Sequence, residues 1–472
     1  MIGSKNLKQY TDVDWLSTRI AKISLWIFIG LLIYMPLHIF LSTWFGTTFK
    51  LLDFAKIAKD IVMIIGFALV CAVAIDKKWL KSLGSDKLAW LFGGYILLTL
   101  LMTAIFATDL DAEILGIVYN LRFLVFFVYA ALLTRLYKPT WLQKNALRAV
   151  LSASLVVMAF GFAQYMWLPS NALAKFGYSR ANGVLPVFLI DEKPELERIM
   201  STLRDPNSLG SYLIIILSIC LVYLLKTKNR DLKRIYAGLL ALSLICLWFT
   251  FSRSAWLGAI VAVAVIGFLL YGREQLAKIS AKWLILIACL LVLLLGTVYA
   301  LKDSYFVENV ILHADDSTVL EDPNQLRIRF WKESVESGLH RPLGYGPGTA
   351  GLASIRNDKQ GVVLNENYYL QILHEVGVVG LALFLAILMV VGYRLYLLTD
   401  KNILAIALLA SFAGLALTNF LVHIWANEAV AYTWWGLAGL VIYGISSDKD
   451  LQESRSKTTK KVKSQSKSQK VI

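Results

Sequence analysis

The sequence predicts an all-α polytopic membrane protein, because its apolar residues come in runs long enough for membrane-spanning helices. Its basic residues are also concentrated in every second loop between these runs. Of the 472 residues, 58% are hydrophobic and 17% are charged, and the mean hydropathy is +0.63. A soluble chain of this length would need more polar surface. A bilayer-spanning helix needs about 20 mainly apolar residues, and such runs recur along the chain. This composition excludes an ordinary soluble enzyme.

Twelve apolar runs are predicted to span the membrane as helices. They lie near residues 23–42, 61–75, 88–106, 115–134, 149–167, 208–225, 235–251, 254–271, 283–301, 367–393, 402–420 and 428–445. The predicted organisation is an N-terminal segment 1–22, helices 1 to 5 over 23–167, a loop 168–207, a core 208–445 with a long loop 302–366, and a tail 446–472 of disordered composition. An amphipathic helix is predicted near 325–338 in the long loop.

The basic residues predict the orientation of the chain. With the N-terminus in the cytoplasm, eighteen Lys and Arg residues fall in the five cytoplasmic loops between the predicted spans, and four fall in the four short extracytoplasmic loops. The positive-inside rule therefore predicts a bacterial plasma-membrane protein with both termini cytoplasmic and both long loops outside. The net charge of +15 reflects this basic inner face and tail. We expect contact with membrane lipids and no nucleic-acid binding.

Several arginines lie near the predicted outer ends of the spans, and Arg122 stands about one third of the way into the fourth span. Each could be an interfacial residue whose stem lies along lipid. Arginine is nevertheless suited to binding a diphosphate, since its planar guanidinium makes bidentate contacts and stays protonated. An outward-facing site of this kind indicates a lipid-linked phosphate. The candidate set is Arg122, Arg198, Arg204, Arg253, Arg327 and Arg329.

Four motifs add to this pattern. They are RIMSTLRDPNSLGSYL at 198–213, FTFSRSAWLG at 249–258, RIRFWKESVESGLHRPLGYGPGTA at 327–350 and NENYYLQILHEVGVVGL at 365–381. Each alone has a simpler explanation: 205–207 is a good helix start, 344–348 can be a returning loop, and Gly377 with Gly380 can be close helix packing. In this order, the four motifs resemble those of the O-antigen ligase and O-antigen polymerase family of membrane glycosyltransferases.

The resemblance implies a GT-C-like fold of about 12 transmembrane helices with a large extracytoplasmic loop region. It also implies inverting, metal-independent transfer of a glycan from an undecaprenyl-diphosphate-linked oligosaccharide to a glycan, lipid or protein acceptor. By motif position, Arg198, Arg253 and Arg327 would grip the leaving diphosphate, with Arg204, Arg329 and Arg122 as further candidates. Substrate contacts are also expected from Asn207, Asn367 and His423.

One position departs from the family pattern. The ligases open the fourth motif with a His-Asn pair, whose His is taken as the base that activates the acceptor, whereas this chain has Glu366 and Asn367. A carboxylate can act as the base in inverting sugar chemistry, although its ordinary pKa of about 4.3 makes it weaker unless burial raises that pKa. We therefore expect Glu366 to be the base, and the choice between ligase and polymerase stays open. His374 is interpreted as structural.

Other functions remain as alternatives. A transporter or flippase of lipid-linked sugars would also have about twelve spans, but the chain has no two matching halves joined by a long inner loop. A scaffold would leave the arginines unexplained. Lys56, Lys59 and Asp60 could touch the polyprenyl diphosphate or merely line the interface. No phosphate-cradling loop, dinucleotide fingerprint or His/Cys metal set is present in the sequence, so no cofactor or metal is predicted.

Overall fold

The computed structural model shows a bundle of α-helices with one small β-hairpin. It describes residues 15–76, 84, 86–106, 109–190, 193–272, 323–359, 362–363 and 366–444. The predicted span at 283–301 and the predicted tail at 446–472 lie outside the described residues. The prediction of an all-α multi-pass membrane protein is confirmed.

The helices follow the predicted apolar runs and extend beyond most of them. They are α1 (Trp15–Tyr34), α2 (His38–Thr48), α3 (Leu52–Asp76), α4 (Lys87–Ile105), α5 (Leu110–Leu136), α6 (Pro139–Met166), α7 (Pro206–Lys226), α8 (Arg230–Phe249), α9 (Arg253–Gly267), α10 (Pro323–His340), α11 (Tyr368–Leu398), α12 (Ile403–Thr418) and α13 (428–444). Short 3-10 turns occur at Met35–Leu37, Ala172–Phe176 and Gly351–Arg356, and a π turn at Phe268–Gly272 ends α9. Strands β1 (Phe188–Ile190) and β2 (Lys193–Arg198) pair antiparallel, with Phe188 opposite Arg198.

Nine helices among the described residues are long and apolar enough to cross a membrane. The first of them, Thr18–Thr48, runs through α1 and α2, and α12 is a shorter apolar helix. Eleven of the twelve predicted runs coincide with helices, so the total of twelve stays a prediction. Helix α10 confirms that a helix forms near 325–338, but its buried positions are Ser334 and Gly338, whereas Val335 and Leu339 of the predicted apolar face are exposed.

Short polar side chains define where the helices at one end of the bundle begin. The Asp205 carboxylate accepts a hydrogen bond from the backbone N–H of Ser208 at the start of α7. Asn367 does the same for Tyr369 at the start of α11, and Ser252 caps α9. Such caps satisfy amides that have no partner within the helix. The motif residues Asp205, Ser252 and Asn367 therefore fix the ends of three helices.

Helices α7, α9 and α12 pack against one another in the C-terminal half. Most of α7 is buried, as expected for a helix that is apolar on all sides. Glycines allow close contact between α9 and α12, since a Cβ on Gly414 would overlap the backbone oxygen of Gly258. Small residues at a helix interface let backbones approach in this way.

Helix α11 is broken at Gly377, whose φ is 75°. The glycine loop, residues 341–350, fills the break. The backbone N–H of Tyr345 donates to His374 O, and the N–H of Val378 donates to Pro342 O. A Cβ on Gly377 would overlap Pro342 O. Gly377 therefore supplies a backbone turn that receives a loop, which differs from the helix packing that was its simpler explanation.

Positive φ angles explain the glycines of the third motif. Gly344, Gly346 and Gly348 have φ values of 83°, 96° and 87°. Residues other than glycine rarely adopt backbone conformations with such positive φ angles. A Cβ on Gly348 would also overlap the carbonyl of Ala112 in α5. The loop therefore packs backbone to backbone between α5 and the broken α11, which is more than a simple return of the chain.

Candidate functional site

Both long polar segments of the described chain lie at one end of the bundle, here named the loop end, which carries residues 167–190, 193–205, 341–359, 362–363 and 366. Several contacts tie these segments to the helices. The Lys56 Nζ in α3 donates to Asn182 O at 2.9 Å, and Phe40 N in α2 donates to Thr202 O at 3.3 Å. The loops thereby enclose space above the helix ends.

The larger of two neighbouring cavities at this end has a volume of about 600 Å³. Its walls come from α2, α3, α5, the loop around residue 182 and the 3-10 turn Gly351–Arg356. The charged residues that line it are Lys56, Lys59, Arg122, Arg180, Arg204, Arg356, Asp53, Asp60 and Glu428. Six are basic and three are acidic, which gives a formal charge of +3. The cavity is therefore suited to an anion.

A buried ion-pair network forms one wall of the larger cavity. The Arg122 guanidinium lies 3.0 Å from the Glu428 carboxylate and also donates to Ala426 O. Lys59 Nζ lies 3.7 Å from Glu428 and 2.9 Å from Asp60. The two cations and two anions balance one another, so the excess positive charge belongs to the residues outside this network.

That excess charge comes from the half-buried Lys56 and Arg204 and the exposed Arg180 and Arg356, opposed by Asp53. Arg356 is the last residue of its 3-10 turn. Arg180 lies in the turn closed by the bridge between Ser179 and Val184. Neither arginine was predicted from the sequence, since each is a single basic residue in a loop without periodicity or a familiar motif.

A smaller cavity of about 190 Å³ adjoins the larger one. Tyr119, Arg204, Leu352 and Glu428 line both cavities. The residues that line only the smaller one are Asp205, Asn207, Ser208, Glu366, Val422, His423, Ile424, Ala426 and Asn427. The structure thus brings the predicted residues Arg204, Asn207, Glu366 and His423 into one space.

Glu366 is an exposed residue at the entrance to α11. Its φ is 43°, an unusual value for a residue other than glycine. The next residue, Asn367, uses its side-chain oxygen to cap α11 through the N–H groups of Tyr369 and Leu370, at 3.0 and 3.1 Å. Asn367 therefore holds the end of the helix, and Glu366 projects from a strained position of the kind found at functional sites.

The first and second motifs meet at Asn207. The Arg198 guanidinium donates to Asn207 Oδ1 through Nη2 and to Thr250 O through Nε, both at 2.9 Å. Ser252 Oγ donates to the same Asn207 oxygen at 2.9 Å. Arg198 thus contacts the second motif and a residue of the smaller cavity, although it lines neither cavity itself.

The Arg198 guanidinium stays protonated in its position beside Asn207 and Thr250. Burial lowers the pKa of Arg198 to about 10, Asp205 opposes that change, and the nearby Arg253 adds to it. A pKa of about 10 keeps the guanidinium protonated at neutral pH. Arg253 begins α9 as a half-buried residue beside Arg198 and lines neither cavity.

The other predicted arginines are spread over several places. Arg122 lines the larger cavity from within the ion-pair network. Arg329 is exposed on α10, with its Nε 3.7 Å from Glu333. Arg327 belongs to α10, and its side chain lies outside the described residues. Arg198 and Arg253 are neighbours, whereas Arg329 is part of an exposed helix surface.

A buried carboxylate that was not predicted stands behind the cavities. Glu375 in α11 is fully buried and accepts hydrogen bonds from Asn120 Nδ2 at 2.7 Å, Gly348 N at 2.9 Å, Ala350 N at 3.3 Å and Gln371 Nε2 at 3.4 Å. The neighbouring His374 contacts Ser337 Oγ at 3.0 Å and stacks on Tyr345, which agrees with its structural interpretation. Glu375 could have been noticed only as an intramembrane acid.

Comparison with known proteins agrees with the motifs. Residues 238–385 match the model of the Wzy_C family, which is described as O-antigen ligase. The family resemblance is therefore confirmed over these residues, which include the whole of the second, third and fourth motifs. No curated protein matches the chain. The cavity residues Arg122, Arg204 and His423 lie outside the matched range.

Proposed function

We propose that this chain, whose residues 238–385 match the O-antigen ligase family, transfers a glycan from undecaprenyl diphosphate to a glycan, lipid or protein acceptor. Family membership implies lipid-linked glycan transfer in surface polysaccharide synthesis, and the family's members are enzymes. The inverting stereochemistry, the acceptor and the placement of the loop end on the outer face of the bacterial plasma membrane belong to the proposal.

One observation carries the proposal: the larger cavity combines excess positive charge with an apolar margin. Its charged residues total +3, and the exposed side chains of Ile57, Leu185, Ile355 and Val362 also line it. A polyprenyl diphosphate presents the complementary combination, a doubly or triply negative head joined to a hydrocarbon chain. The charged walls would hold the diphosphate and the apolar margin would receive the first prenyl units.

The chemistry follows from this placement. The acceptor oxygen forms a bond to the anomeric carbon from the side opposite the diphosphate. The bond between that carbon and the diphosphate oxygen breaks, and its electron pair stays on the leaving group. Glu366 takes the proton of the acceptor hydroxyl. Negative charge grows on the diphosphate in the transition state, where fixed guanidinium groups stabilise it more than the ground state.

The basic residues divide into two proposed roles. Arg204 lines both cavities, so it stands at the boundary where the scissile bond would lie. Lys56, Arg180 and Arg356 would bind the outer phosphate oxygens. Arg198 acts through Asn207 as a positioning residue, and Arg253 contributes to the same field. Arg327 remains in the proposal on its motif position alone.

The test uses the purified protein in detergent with lipid-linked oligosaccharide extracted from the source bacterium. Products resolved by size should form a ladder for a polymerase or one shifted acceptor for a ligase. Micelles enclose no compartment, so product formation separates transfer from transport of a lipid-linked sugar. If the wild-type protein forms no product in micelles but moves the lipid across sealed vesicles, the enzymatic proposal fails.

A matched pair of variants tests the cavity. Arg204→Ala removes a cation from the boundary, and we expect transfer to fall on the order of 10²-fold, as for loss of one contact to developing charge. Arg234→Ala removes an exposed arginine of α8 that pairs with Asp231 at 3.3 Å, and it should leave transfer at the wild-type rate. Equal rates in the two variants would exclude Arg204 from the site.

A further inference from the structure

We propose that the smaller cavity is the subsite for the acceptor sugar, the residue that carries the attacking hydroxyl, and that Asn207, His423 and Asn427 bind its other hydroxyl groups. The inference rests on the proposed glycosyl transfer, and it names the second substrate and the side chains that recognise it. It follows from which polar atoms of this cavity already have partners.

The orientation of the Asn207 amide is fixed by its neighbours. Arg198 can only donate, and Ser252 Oγ accepts from Ala255 N, so its own proton is available for Asn207. Both donors converge on one atom of Asn207, which must therefore be the oxygen. The other atom is the NH₂ group, and it has no partner within the described part of the chain. Asn207, which lines the smaller cavity, thus has two N–H donors available for a ligand.

In Asn427, too, one amide atom has a structural partner and the other has none within the described chain. Its Oδ1 accepts from Val430 N at 3.3 Å and so caps α13. Its Nδ2 makes no hydrogen bond to any residue that the structure describes, while the residue lines the smaller cavity. One half of the side chain therefore has a structural purpose, and the other half is a free donor.

His423 supplies a third unused polar group. Its Nε2 is enclosed and has no hydrogen-bond partner among the described residues. Burial lowers the pKa of His423 to about 4, so the imidazole is neutral at physiological pH. A neutral imidazole has one donor and one acceptor nitrogen. A buried polar atom without a partner is costly, and because His423 lines the smaller cavity, a sugar hydroxyl bound there would supply the missing hydrogen bond.

The two cavities differ in the chemistry that they offer. The larger one is dominated by cations, whereas the smaller one adds two amides and an imidazole to the carboxylates of Asp205 and Glu366. Neutral donors and carboxylate oxygens match sugar hydroxyls, each of which donates one hydrogen bond and accepts others. A phosphate would find fewer cations in this cavity. The ligand is therefore a hydroxylated sugar.

The sugar belongs to the acceptor because of Glu366. This carboxylate lines the smaller cavity and not the larger one, and in the proposed reaction it takes the proton from the attacking hydroxyl. A general base must lie within hydrogen-bond reach of that proton. The sugar held by Asn207, His423 and Asn427 would therefore present its hydroxyl to Glu366, with Arg204 between it and the leaving diphosphate.

The test uses substitutions that keep the structural half of each side chain. Asn427→Ser retains an oxygen that can cap α13 and removes the free NH₂ group. His423→Gln keeps a polar nitrogen, whereas His423→Phe keeps only the ring. Tyr178→Phe is the matched control, because the Tyr178 hydroxyl is also buried without a partner in the described chain but lines neither cavity.

Two measurements are made on each purified, full-length variant. The first is binding of undecaprenyl diphosphate, which lacks any sugar. The second is the initial rate of transfer from the native lipid-linked oligosaccharide. We expect Asn427→Ser and His423→Phe to bind undecaprenyl diphosphate as the wild type does and to transfer about tenfold more slowly, the effect of about 1.4 kcal/mol. His423→Gln should recover part of the rate, and Tyr178→Phe should equal the wild type.

Three results would overturn the inference, and they differ from failure of the proposed function. Wild-type transfer rates in Asn427→Ser and His423→Phe would show that the cavity binds no sugar. Loss of undecaprenyl diphosphate binding in these variants would assign the residues to the donor. A slow rate with equally slow Tyr178→Phe would indicate a general effect on stability. If the wild-type protein itself does not bind undecaprenyl diphosphate, the proposed function fails first.

Discussion

Asn120 in α5 donates to the Glu375 carboxylate in α11 at 2.7 Å, although the two residues lie 255 positions apart in the chain. The same carboxylate accepts from Gly348 N of the glycine loop. One buried acid therefore holds together three segments that line or support the cavities. The neighbours of Asn120 along α5 include Tyr119 and Arg122, which both line the larger cavity.

The first prediction concerns this carboxylate. Glu375→Gln places an NH₂ group where only acceptors fit, so at least one N–H donor would lose its partner. Hydrogen bonds to charged groups contribute about 1.5–3 kcal/mol, and we expect a loss of stability of that size. Thermal unfolding in detergent, followed by circular dichroism, measures it. Glu336→Gln on the exposed side of α10 is the control, and an unchanged melting temperature for Glu375→Gln would contradict the role.

The second prediction concerns the glycine loop. Gly348→Ala combines a φ of 87° with an overlap between the new Cβ and the Ala112 carbonyl, so the loop cannot keep its place. Gly183→Ala is the matched control, since Gly183 has a φ of 76° but open space around its Cβ position. We expect a loss of about 1 kcal/mol for Gly183→Ala and a much larger loss for Gly348→Ala. Similar melting temperatures would refute the packing argument.

The sequence predicts the helices well because apolar runs of 20 residues have few alternatives in a membrane. The motifs supply Arg204, Asn207 and Glu366 as separate candidates, whereas their meeting in the smaller cavity is seen only in the structure. Arg180 and Arg356 could not be predicted, because their placement depends on how two loops fold over the helices. The break at Gly377 could not be predicted either, since a glycine inside an apolar run has the same sequence appearance whether the helix continues or turns.

The third prediction concerns the proposed base. Glu366→Gln keeps the size of the side chain and removes its ability to take a proton, so transfer should fall by 10²-fold to 10⁴-fold, the usual contribution of general acid–base catalysis. Binding of undecaprenyl diphosphate should persist. Glu366→His should recover part of the rate with a pH optimum shifted upward, since imidazole has the higher ordinary pKa. A fully active Glu366→Gln enzyme would eliminate the residue as base.

The fourth prediction separates positioning from direct contact. Arg198→Lys keeps the positive charge but cannot reach both Asn207 Oδ1 and Thr250 O as the guanidinium does. We expect the maximal rate to fall while binding of undecaprenyl diphosphate stays unchanged. Arg253→Lys and Arg253→Ala should both abolish transfer if Arg253 contacts the leaving group directly. Loss of undecaprenyl diphosphate binding in Arg198→Lys would instead make Arg198 a donor ligand.

The fifth prediction concerns the opposite end of the bundle. Asp86 accepts hydrogen bonds from Arg394, Tyr443 and the backbone N–H of Leu88, and so joins α4, α11 and α13. Burial favours a higher pKa for Asp86, but the hydrogen bonds from Arg394, Tyr443 and Leu88 hold that pKa below its usual value. A depressed pKa means that the ionised form stabilises the fold.

This stabilisation is complete above the ordinary pKa of an aspartate, about 3.9, and is lost as the pH falls below that value. Asp86→Asn should therefore melt at a lower temperature than the wild type at pH 7, and the two melting temperatures should converge at acidic pH. Asp231→Asn, on an exposed pair at the start of α8, provides the comparison. A difference between Asp86→Asn and the wild type that does not depend on pH would argue against the ionic contribution.

The pairing of Arg122 with Glu428 joins residues that are 306 positions apart, and this separation has a consequence for biogenesis. Helix α5 leaves the ribosome long before α13 has been made. During that interval Arg122 enters the bilayer without Glu428, at a cost of about 3 kcal/mol on the scale of translocon insertion. The insertion machinery would therefore have to shield Arg122 from lipid until the last helix is made. Chains truncated before Glu428 should be removed by membrane proteases.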